Sequence, residues 1–374
     1  MIPVCEPVLD GNEAAYVAEC IASGWVSSAG KFVTQFEEMF AAYCGVPYGV
    51  ACSSGTTALH MAMVALGIGA GDEVIIPDFT LIASANTVIQ TGARPVLVDV
   101  DRATWCIDPA RIEDAITPRT RAIMVVHMYG HPCDMRAIGA IAARHNLVVV
   151  EDCAEAHGSE VDGQRVGSFG AVGCFSFYGN KTLTTGEGGM VVCSDPAIAE
   201  RLRLLRNQGF REPRFVHDVV GFNYRLTNMQ AAIGVAQTER ADAKVARKRW
   251  IADRYCERLA HDPDLTLPIE APWAKNTYWM YGVLLGDRYP DKETAMARLK
   301  ADGIDTRSFF CPMHLQPVFR DHDGSNPAYP SVDVDHPVSA DLWTRGLYLP
   351  TGLNLTEAQI DESASKLLAL KGSA

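Results

Sequence analysis

Lys181 is the residue of this sequence with the clearest potential for covalent chemistry. It lies in the segment 175–190, FSFYGNKTLTTGEGGM, which indicates a short alternating strand, a turn at Gly179-Asn180 and a glycine-rich return. A lysine amine can form a Schiff base with a carbonyl group once it loses its proton, and burial favours that loss because it disfavours the ammonium form. A lysine beside such a turn is more often a solvated surface charge. The chemical interpretation therefore depends on whether the chain supplies partners for a bound cofactor.

Asp152 is the first candidate partner. It follows three consecutive valines and Glu151, a pattern typical of a buried strand that ends at a crevice. Its carboxylate could face a cationic ring nitrogen, a role that pyridoxal phosphate enzymes give to aspartate, and would raise the pKa of that nitrogen. Asp152 could also simply cap a helix that begins at Cys153.

A small-residue turn, Ser53-Ser54-Gly55, is the second candidate. It opens an apolar helix predicted to begin near Thr56. A helix start leaves backbone N–H groups free, glycine allows close approach, and the hydroxyls of Thr56 and Thr57 add donors, so the turn could hold a phosphate. A plain serine or threonine cap explains the pattern about equally well.

Five further residues could contact a ligand. Asn223 and Arg225 lie in a glycine and aromatic loop before a helix predicted near residue 227, where they could meet a phosphate or serve an ordinary capped helix. His314 lies between two prolines and could hydrogen-bond a substrate or brace a turn. Trp25 and Ser27 lie in a turn whose simpler interpretation is a loop and helix cap.

Strands alternate with helices through much of the chain, which predicts an α/β fold whose sheet is mostly parallel, with helices on both faces. The ligand crevice of such a sheet lies at the carboxyl ends of its strands, where His127, Asp152 and the segment 175–181 would meet. We expect a large domain over 1–236, then a linker helix and a smaller C-terminal α/β domain over 237–374. The predicted strands are 73–76, 95–98, 121–126, 147–150 and 191–194, and the bounded predicted helices are 10–24, 81–90, 108–116, 135–145 and 237–259.

The composition is that of an ordinary globular protein. The chain has 374 residues, 48% apolar and 21% charged, with a formal net charge of -12, which disfavours nucleic acid and acidic membrane surfaces as partners. Its 11 cysteines form no C-x-x-C pair, so we expect no metal site and no disulfide framework. The N-terminal sequence lacks the pattern of a signal peptide, and we expect a cytoplasmic protein.

The order of these motifs resembles a known family. SSGTT, VVVEDCAEAHG, FSFYGNK, TTGEGG and GFNYRLTN follow one another as in sugar-nucleotide aminotransferases of the DegT/DnrJ type. The resemblance covers nearly the whole chain, including WVSSAGKFVTQFE near the start and PMH and GLYLPTG near the end. It implies the aspartate aminotransferase fold (fold type I) and pyridoxal phosphate as cofactor, bound by the large domain.

The resemblance implies a role for each candidate residue. Lys181 would form the Schiff base, Asp152 would pair with the pyridine nitrogen, and Glu155 would approach the phenolic oxygen of the cofactor. The enzyme would be an obligate homodimer whose active sites are shared between subunits. The cofactor phosphate would be held by Gly55, Thr56, Ser176 and the neighbouring subunit's Asn223, and the sugar nucleotide would be contacted by Trp25, Ser27, Arg225 and His314.

Two positions depart from the pattern of the family. Many relatives place an aromatic residue after P-x-x-T to stack on the cofactor ring, whereas this chain has Leu81, so either aliphatic packing or Phe79 must serve. Many relatives have glutamine where Glu155 stands, and a carboxylate facing a phenolic oxygen must be protonated or otherwise compensated.

The resemblance implies a reaction in two halves. L-glutamate would give its amine to the cofactor, leaving pyridoxamine phosphate, and a nucleotide-linked keto-sugar would then accept it. Some relatives carry histidine in place of the lysine and remove a hydroxyl, so Lys181 favours aminotransfer. The pattern is similar to that of enzymes that aminate C4 of GDP-4-keto-6-deoxymannose.

Three alternatives remain at this point. The first is the same chemistry on a UDP- or dTDP-linked sugar. The second is a non-catalytic cofactor-binding or regulatory protein of the same fold. The third is a dinucleotide-binding oxidoreductase, although the chain lacks the glycine fingerprint between the first strand and helix.

Overall fold

The computed structural model of the chain describes residues 1–213, 215–217, 219–321 and 326–372. Its helices are α1 (Glu13–Ser23), α2 (Lys31–Cys44), α3 (Gly55–Ala65), α4 (Ala83–Gln90), α5 (Pro109–Ile112), α6 (Met135–His145), α7 (Pro196–Arg206), α8 (Asn228–Glu239), α9 (Ala241–Leu259), α10 (Lys292–Ala301), α11 (Pro317–Arg320), α12 (Pro337–Arg345) and α13 (Glu357–Ala369). Its strands are β1 (Tyr48–Cys52), β2 (Glu73–Pro77), β3 (Arg94–Val98), β4 (Thr120–Val126), β5 (Val148–Asp152), β6 (Glu160–Val161), β7 (Gln164–Arg165), β8 (Val172–Ser176), β9 (Gly189–Cys193), β10 (Leu265–Thr266), β11 (Ala274–Lys275), β12 (Tyr281–Leu285), β13 (Arg307–Ser308) and β14 (Gly346–Leu349).

Seven strands form the large sheet, in the order β1-β9-β8-β5-β4-β2-β3. The neighbouring pairs from β3 to β8 are parallel, whereas β9 is antiparallel to both β8 and β1. The predicted mostly parallel sheet is confirmed. The sequence interpretation missed β1, because this short strand runs directly into the turn that opens α3.

Helices cover both faces of the large sheet, as predicted. Successive residues of a strand point to opposite faces, and β9 shows this directly. Val191 belongs to an apolar cluster that includes Leu59 of α3, and Val192 belongs to another that includes Phe36 of α2. Burial on both faces explains why these strands read as nearly continuous apolar runs.

The carboxyl ends of the parallel strands meet at one edge of the sheet. Asp152 is the last residue of β5 and Ser176 is the last residue of β8. Asp78 follows β2, and His127 follows β4. Polar groups far apart in the sequence are therefore brought to one crevice, which is where the sequence pattern predicted it.

Several helix boundaries differ from the prediction. α1 begins at Glu13, three residues later than predicted, and ends before Gly24, which adopts a left-handed φ of 76°. α5 is shorter than predicted and passes into a 3₁₀ turn at Glu113–Ala115. The predicted helix 237–259 is two helices, because the backbone of Arg240 leaves the helical region with a φ of -111°. No proline or glycine marks that break in the sequence.

A second, antiparallel sheet has the order β10-β12-β14-β13 and lies in the C-terminal part of the chain. Tyr281 of β12 packs in one apolar cluster with Tyr255 of α9 and Ile360 of α13. The last helix begins with a capping box, in which Thr356 accepts a hydrogen bond from the Gln359 N–H. The domain boundary at 236/237 stays a prediction. Within the described ranges, no helix combines the length and the apolar character needed to cross a bilayer.

Candidate active site

A cavity of about 330 Å³ opens where the carboxyl ends of β5 and β8 meet the start of α3. It combines apolar walls with a small number of polar groups, which is the usual character of a cofactor site. Its walls are formed by Ser54, Gly55, Thr56, Leu59, Thr80, Leu81, Ala83, Val126, Asp152, Ala154, Glu155, Ser176, Tyr178, Asn180, Lys181, Glu187, Trp279, Phe310 and Tyr348.

Lys181 reaches this cavity from the turn that follows β8, and it is only 9% exposed. Its Nζ lies 3.9 Å from Glu155 Oε1 and 3.7 Å from the centre of the Trp279 ring. Burial lowers the pKa of Lys181, while the carboxylates of Glu155 and Asp152 oppose that shift. The solvated-surface interpretation of this lysine is therefore wrong.

Asp152 presents its carboxyl group to the same cavity from the end of β5. Its two oxygens accept hydrogen bonds from Ser84 Oγ at 3.0 Å and from the Ala154 N–H at 3.1 Å. Burial raises the pKa of Asp152, although these two donors and the nearby Lys181 favour its ionised form. The donors fix the carboxyl group in place, and a cationic partner in the cavity would compensate its burial.

Glu155 is another ionisable residue of the cavity wall. Its Oε2 accepts a hydrogen bond of 2.9 Å from the Tyr129 N–H. Burial raises the pKa of Glu155 to about 7, although Lys181 and the Tyr129 N–H favour the carboxylate. This carboxyl group can therefore carry a proton near neutral pH, the condition that its departure from the family pattern requires.

The start of α3 forms one wall of the cavity. Ser54 caps the helix by accepting a hydrogen bond from the Thr57 N–H, and Thr57 Oγ1 accepts one from the Ser54 N–H. Within the described residues, no group accepts a hydrogen bond from the N–H of Gly55 or Thr56. A Cβ added at Gly55 would lie 2.7 Å from Ser176 Cβ, so only glycine fits here. Three of the four residues that the sequence analysis assigned to a phosphate, Gly55, Thr56 and Ser176, thus lie together.

Leu81, and not Phe79, faces the cavity at the position where relatives carry an aromatic residue. Leu81 lines the cavity and is 48% exposed. Phe79 is fully buried, with its ring 6.1 Å from that of Tyr129 and 5.8 Å from that of Phe309. Of the two possibilities left open by the sequence, aliphatic packing by Leu81 is the one that this geometry allows.

The predicted substrate residue His314 lies at the edge of the large sheet and is paired with Asp78. Both its N–H and its Nδ1 contact the Asp78 carboxylate, at 2.9 and 2.5 Å. His336 Nδ1 lies 3.2 Å from the same carboxylate. Burial would raise the pKa of Asp78, but the two histidines hold it below its usual range.

In the described ranges, the cavity walls include none of the five predicted contact residues, which are His314, Trp25, Ser27, Asn223 and Arg225. Trp25, Ser27 and Asn223 are exposed. Arg225 donates a hydrogen bond of 2.7 Å to Asn207 Oδ1 and lines a separate cavity of about 730 Å³. These residues therefore do not contribute to the cavity that contains Lys181 within one chain.

Two groups of potential metal ligands occur among the described residues. One is Asp78, His314 and His336, and the other is His127, Glu151 and Cys153. In the second group, Glu151 accepts hydrogen bonds from His127 and from three backbone N–H groups. Burial raises the pKa of the Cys153 thiol, which disfavours the thiolate that a metal needs. The hydrogen bonds of Glu151 instead brace the strand end that carries Asp152.

The sequence analysis did not identify Ser84, which contacts Asp152, or Trp279, which contacts Lys181. Ser84 lies on α4 and donates to Asp152, while Trp279 precedes β12 and contacts Lys181. The segment NTYWMYG around Trp279 matches no site motif, and only its aromatic content marks it as unusual. Contacts of this kind depend on the docking of distant segments, which local patterns do not encode.

Comparison with known proteins gives a consistent result. Residues 7–368 match the DegT/DnrJ/EryC1/StrS aminotransferase family. The chain is 47% identical over 370 residues to a GDP-perosamine synthase of Caulobacter vibrioides, covering 98% of this chain and 97% of that protein. It is 44% identical to a GDP-perosamine synthase of Escherichia coli O157:H7, covering 96% of this chain and 95% of that one.

A solved structure also resembles this chain over nearly its whole length. The crystal structure of DesV from S. venezuelae superimposes with a TM-score of 0.88 and 38% identity, covering 95% of this chain and 93% of that one. Aminotransferases of this family depend on pyridoxal phosphate and have the fold of type I. The matched length, the identity and the shared fold all lead to one conclusion: this chain belongs to the DegT/DnrJ/EryC1/StrS aminotransferase family.

Proposed function

We propose that this protein transfers the amine of L-glutamate to the C4 ketone of a nucleotide-linked sugar, namely GDP-4-keto-6-deoxy-D-mannose, and so forms GDP-perosamine. The observation that carries this proposal is the buried Lys181, whose Nζ lies in a cavity with the carboxyl groups of Asp152 and Glu155. The choice of sugar is supported by the two relatives named GDP-perosamine synthase, with 47% and 44% identity over nearly their whole length.

The cavity fits pyridoxal phosphate. The free N–H groups at the start of α3, together with Ser176, suit an anion, and the lack of a Cβ at Gly55 leaves room for close approach. The buried carboxyl of Asp152 suits a protonated ring nitrogen. When bound, the cofactor supplies an electron sink for the carbon that gains or loses a proton.

The residues of the chain then have distinct tasks. Lys181 has a lowered pKa, so its amine is available as a nucleophile and as the base that moves a proton between carbons. Asp152, held by Ser84 and Ala154, keeps the ring nitrogen protonated. Glu155, whose pKa burial raises to about 7, could donate a hydrogen bond to a phenolic oxygen in its protonated form. We place the reaction in the cytoplasm, whose reducing conditions suit eleven unbonded cysteines.

A product assay tests the reaction and the substrate together. Purified protein, pyridoxal phosphate and L-glutamate are incubated with GDP-4-keto-6-deoxymannose and, in parallel, with dTDP- and UDP-4-keto-6-deoxyglucose, and mass spectrometry follows the change of ketone to amine. We expect the amino sugar mainly from the GDP substrate. Amination mainly of a dTDP or UDP sugar would keep the reaction and overturn the substrate. A protein that converts none of them, and that does not form pyridoxamine phosphate with glutamate, would be the non-catalytic member of the fold.

We further propose that the active sites are shared in a homodimer. Asn223 is exposed and lies outside the cavity of its own chain, although its loop resembles one that holds the cofactor phosphate across the interface in relatives. Arg225 in the same loop and the exposed Trp25 and Ser27 would reach the partner's substrate in the same way. His314, beside Asp78, would contact the sugar nucleotide from its own chain.

Mixed dimers test this sharing. Lys181→Ala and Asn223→Ala subunits, each inactive alone, are co-expressed with different tags and purified as heterodimers. Because one of the two sites in such a dimer would combine an intact Lys181 with an intact Asn223, we expect about half of the wild-type turnover per dimer. Heterodimers of Lys181→Ala with Asp152→Asn are the matched control, and they should stay inactive because both residues belong to one chain's site. An inactive Lys181/Asn223 heterodimer would contradict a shared site.

Gly55→Ala tests the phosphate position. The new Cβ would lie 2.7 Å from Ser176 Cβ and 3.2 Å from Ser176 Oγ, so the helix start and Ser176 must move apart. We expect the Kd for pyridoxal phosphate to rise about tenfold, which is the lower part of the range for overpacking a buried site. The measurement is a fluorescence titration of cofactor-free protein. Gly139→Ala is the control, because a Cβ on that helical glycine meets nothing within 4 Å.

A further inference from the structure

Trp279 contacts Lys181 but has no part in the chemistry proposed above. The Lys181 Nζ lies 3.7 Å from the centre of its ring, close to the position at which an ammonium group is attracted to an indole face. Trp279 is 3% exposed and forms part of the cavity wall. Lys181 Nζ therefore has an indole face and the Glu155 carboxyl as neighbours.

The indole of Trp279 is held in one orientation. Its Nε1–H donates a hydrogen bond of 2.8 Å to the carbonyl of Asn180, the residue next to Lys181. Its own carbonyl accepts hydrogen bonds from Lys248 Nζ at 2.9 Å and from Thr351 Oγ1 at 3.2 Å. Lys248 is buried on α9. The side chain of Trp279 is therefore hydrogen-bonded to the residue before Lys181, and its backbone is hydrogen-bonded to α9 and to Thr351.

The backbone before Trp279 is also closely fitted. Tyr278 adopts a left-handed φ of 48°, and its N–H donates a hydrogen bond of 2.8 Å to Asn276 Oδ1. A Cβ at Gly130 would lie 2.6 Å from the Tyr278 N and 2.8 Å from the Trp279 N. A non-glycine residue in the left-handed region is unusual, and surrounding contacts must hold it there. The position of the indole is thus fixed by the fold and not by the cavity alone.

We propose that Trp279 is a positioning residue for Lys181, whose indole face holds the lysine ammonium beside Glu155 whenever the amine is not bonded to the cofactor. The proposal rests on the proposed function in that it takes Lys181 as the reacting amine. Because the attraction acts only on the charged form, it both keeps Nζ in the cavity and makes the amine a stronger base than burial alone would allow.

Fluorinated tryptophan separates this attraction from packing. Cofactor-free protein is prepared with tryptophan, monofluoro-, difluoro- and trifluorotryptophan, which weaken the negative ring face stepwise and change its shape little. Lysines are then methylated with formaldehyde and a reductant over a range of pH, and mass spectrometry of the peptide containing Lys181 gives its labelling midpoint. Weaker attraction favours the neutral amine, so the midpoint should fall by about one pH unit across the series.

Two controls use the same chain. Trp279→Phe protein grown with the same analogues keeps fluorine at every other tryptophan, including Trp250 beside Arg247. The labelling midpoint of Lys181 in this variant should not change along the series. Lys275, which pairs with Glu160, gives an internal reference for the labelling. A constant Lys181 midpoint in the unmutated protein, or an equal shift in Trp279→Phe, would overturn the proposal. The readout needs neither cofactor nor sugar, so a failed aminotransfer assay with a shifting midpoint would reject the proposed function and leave the contact standing.

Discussion

Lys181→Ala protein loses aminotransfer by about 10³-fold or more, and with it the visible absorption of the bound cofactor. One amine serves as both the covalent anchor and the proton carrier, so no other group replaces it. The described cavity wall contains no second lysine, since Lys181 is the only one among its residues. Single-turnover kinetics with glutamate and an absorption spectrum at matched cofactor saturation measure both effects.

Lys275→Ala is the matched control for this change. Lys275 lies outside the cavity walls, and its Nζ is 2.6 Å from Glu160 Oε1 on the small sheet that joins β11 to β6. Removing it should leave both the spectrum and the turnover close to those of the unmutated protein. An unchanged absorption band in Lys181→Ala would show that another residue holds the cofactor.

Asp152→Asn has the second largest expected effect, a loss of about 10²-fold or more in turnover with the cofactor still bound. An amide has no charge to keep the ring nitrogen protonated. It also has only one accepting oxygen, whereas Ser84 Oγ and the Ala154 N–H now donate to separate carboxylate oxygens. The amide oxygen can still accept from the Ala154 N–H while the new NH₂ group donates to Ser84 Oγ, so the expected loss comes from the missing charge.

Ser84→Ala separates the charge of Asp152 from its orientation. It keeps the carboxylate and removes one hydrogen bond, so its turnover should fall by about tenfold, less than in Asp152→Asn. Asp162→Asn, at a less buried carboxylate paired with Arg136, should have no effect on turnover. Normal turnover in Asp152→Asn with the cofactor bound would refute the role of this carboxylate.

The sequence predicted the parts of the site that lie within one short segment. Asp152 follows an apolar strand and Lys181 follows a strand and a turn, so strand patterns alone place both at one edge of a parallel sheet. Gly55 was recognised only as the start of a helix, because the strand before it was missed. The burial of Lys181 could not be read in the same way. Lys181 Nζ contacts Glu155 and Trp279, which lie on other segments.

The remaining differences have a similar origin. The antiparallel edge formed by β1 and β9 joins segments far apart in sequence, and strand direction leaves no mark in a run of apolar residues. Near the break at Arg240, Gln237 Nε2 donates hydrogen bonds to the Val8 carbonyl and to Glu13, contacts between distant segments that the sequence pattern does not show. In each case, tertiary contacts decided between conformations that local propensity could not distinguish.

Trp279 and Tyr348 lie late in the chain, and their position determines when the site around Lys181 is completed during synthesis. A ribosome completes Lys181 and the strands around it well before it reaches these two residues, and domains form as they are synthesised. Until Trp279 is in place, Lys181 lacks the indole ring that lies 3.7 Å from its Nζ in the folded protein. The cavity around Lys181 is therefore complete only after the segments that carry Trp279 and Tyr348 have been synthesised.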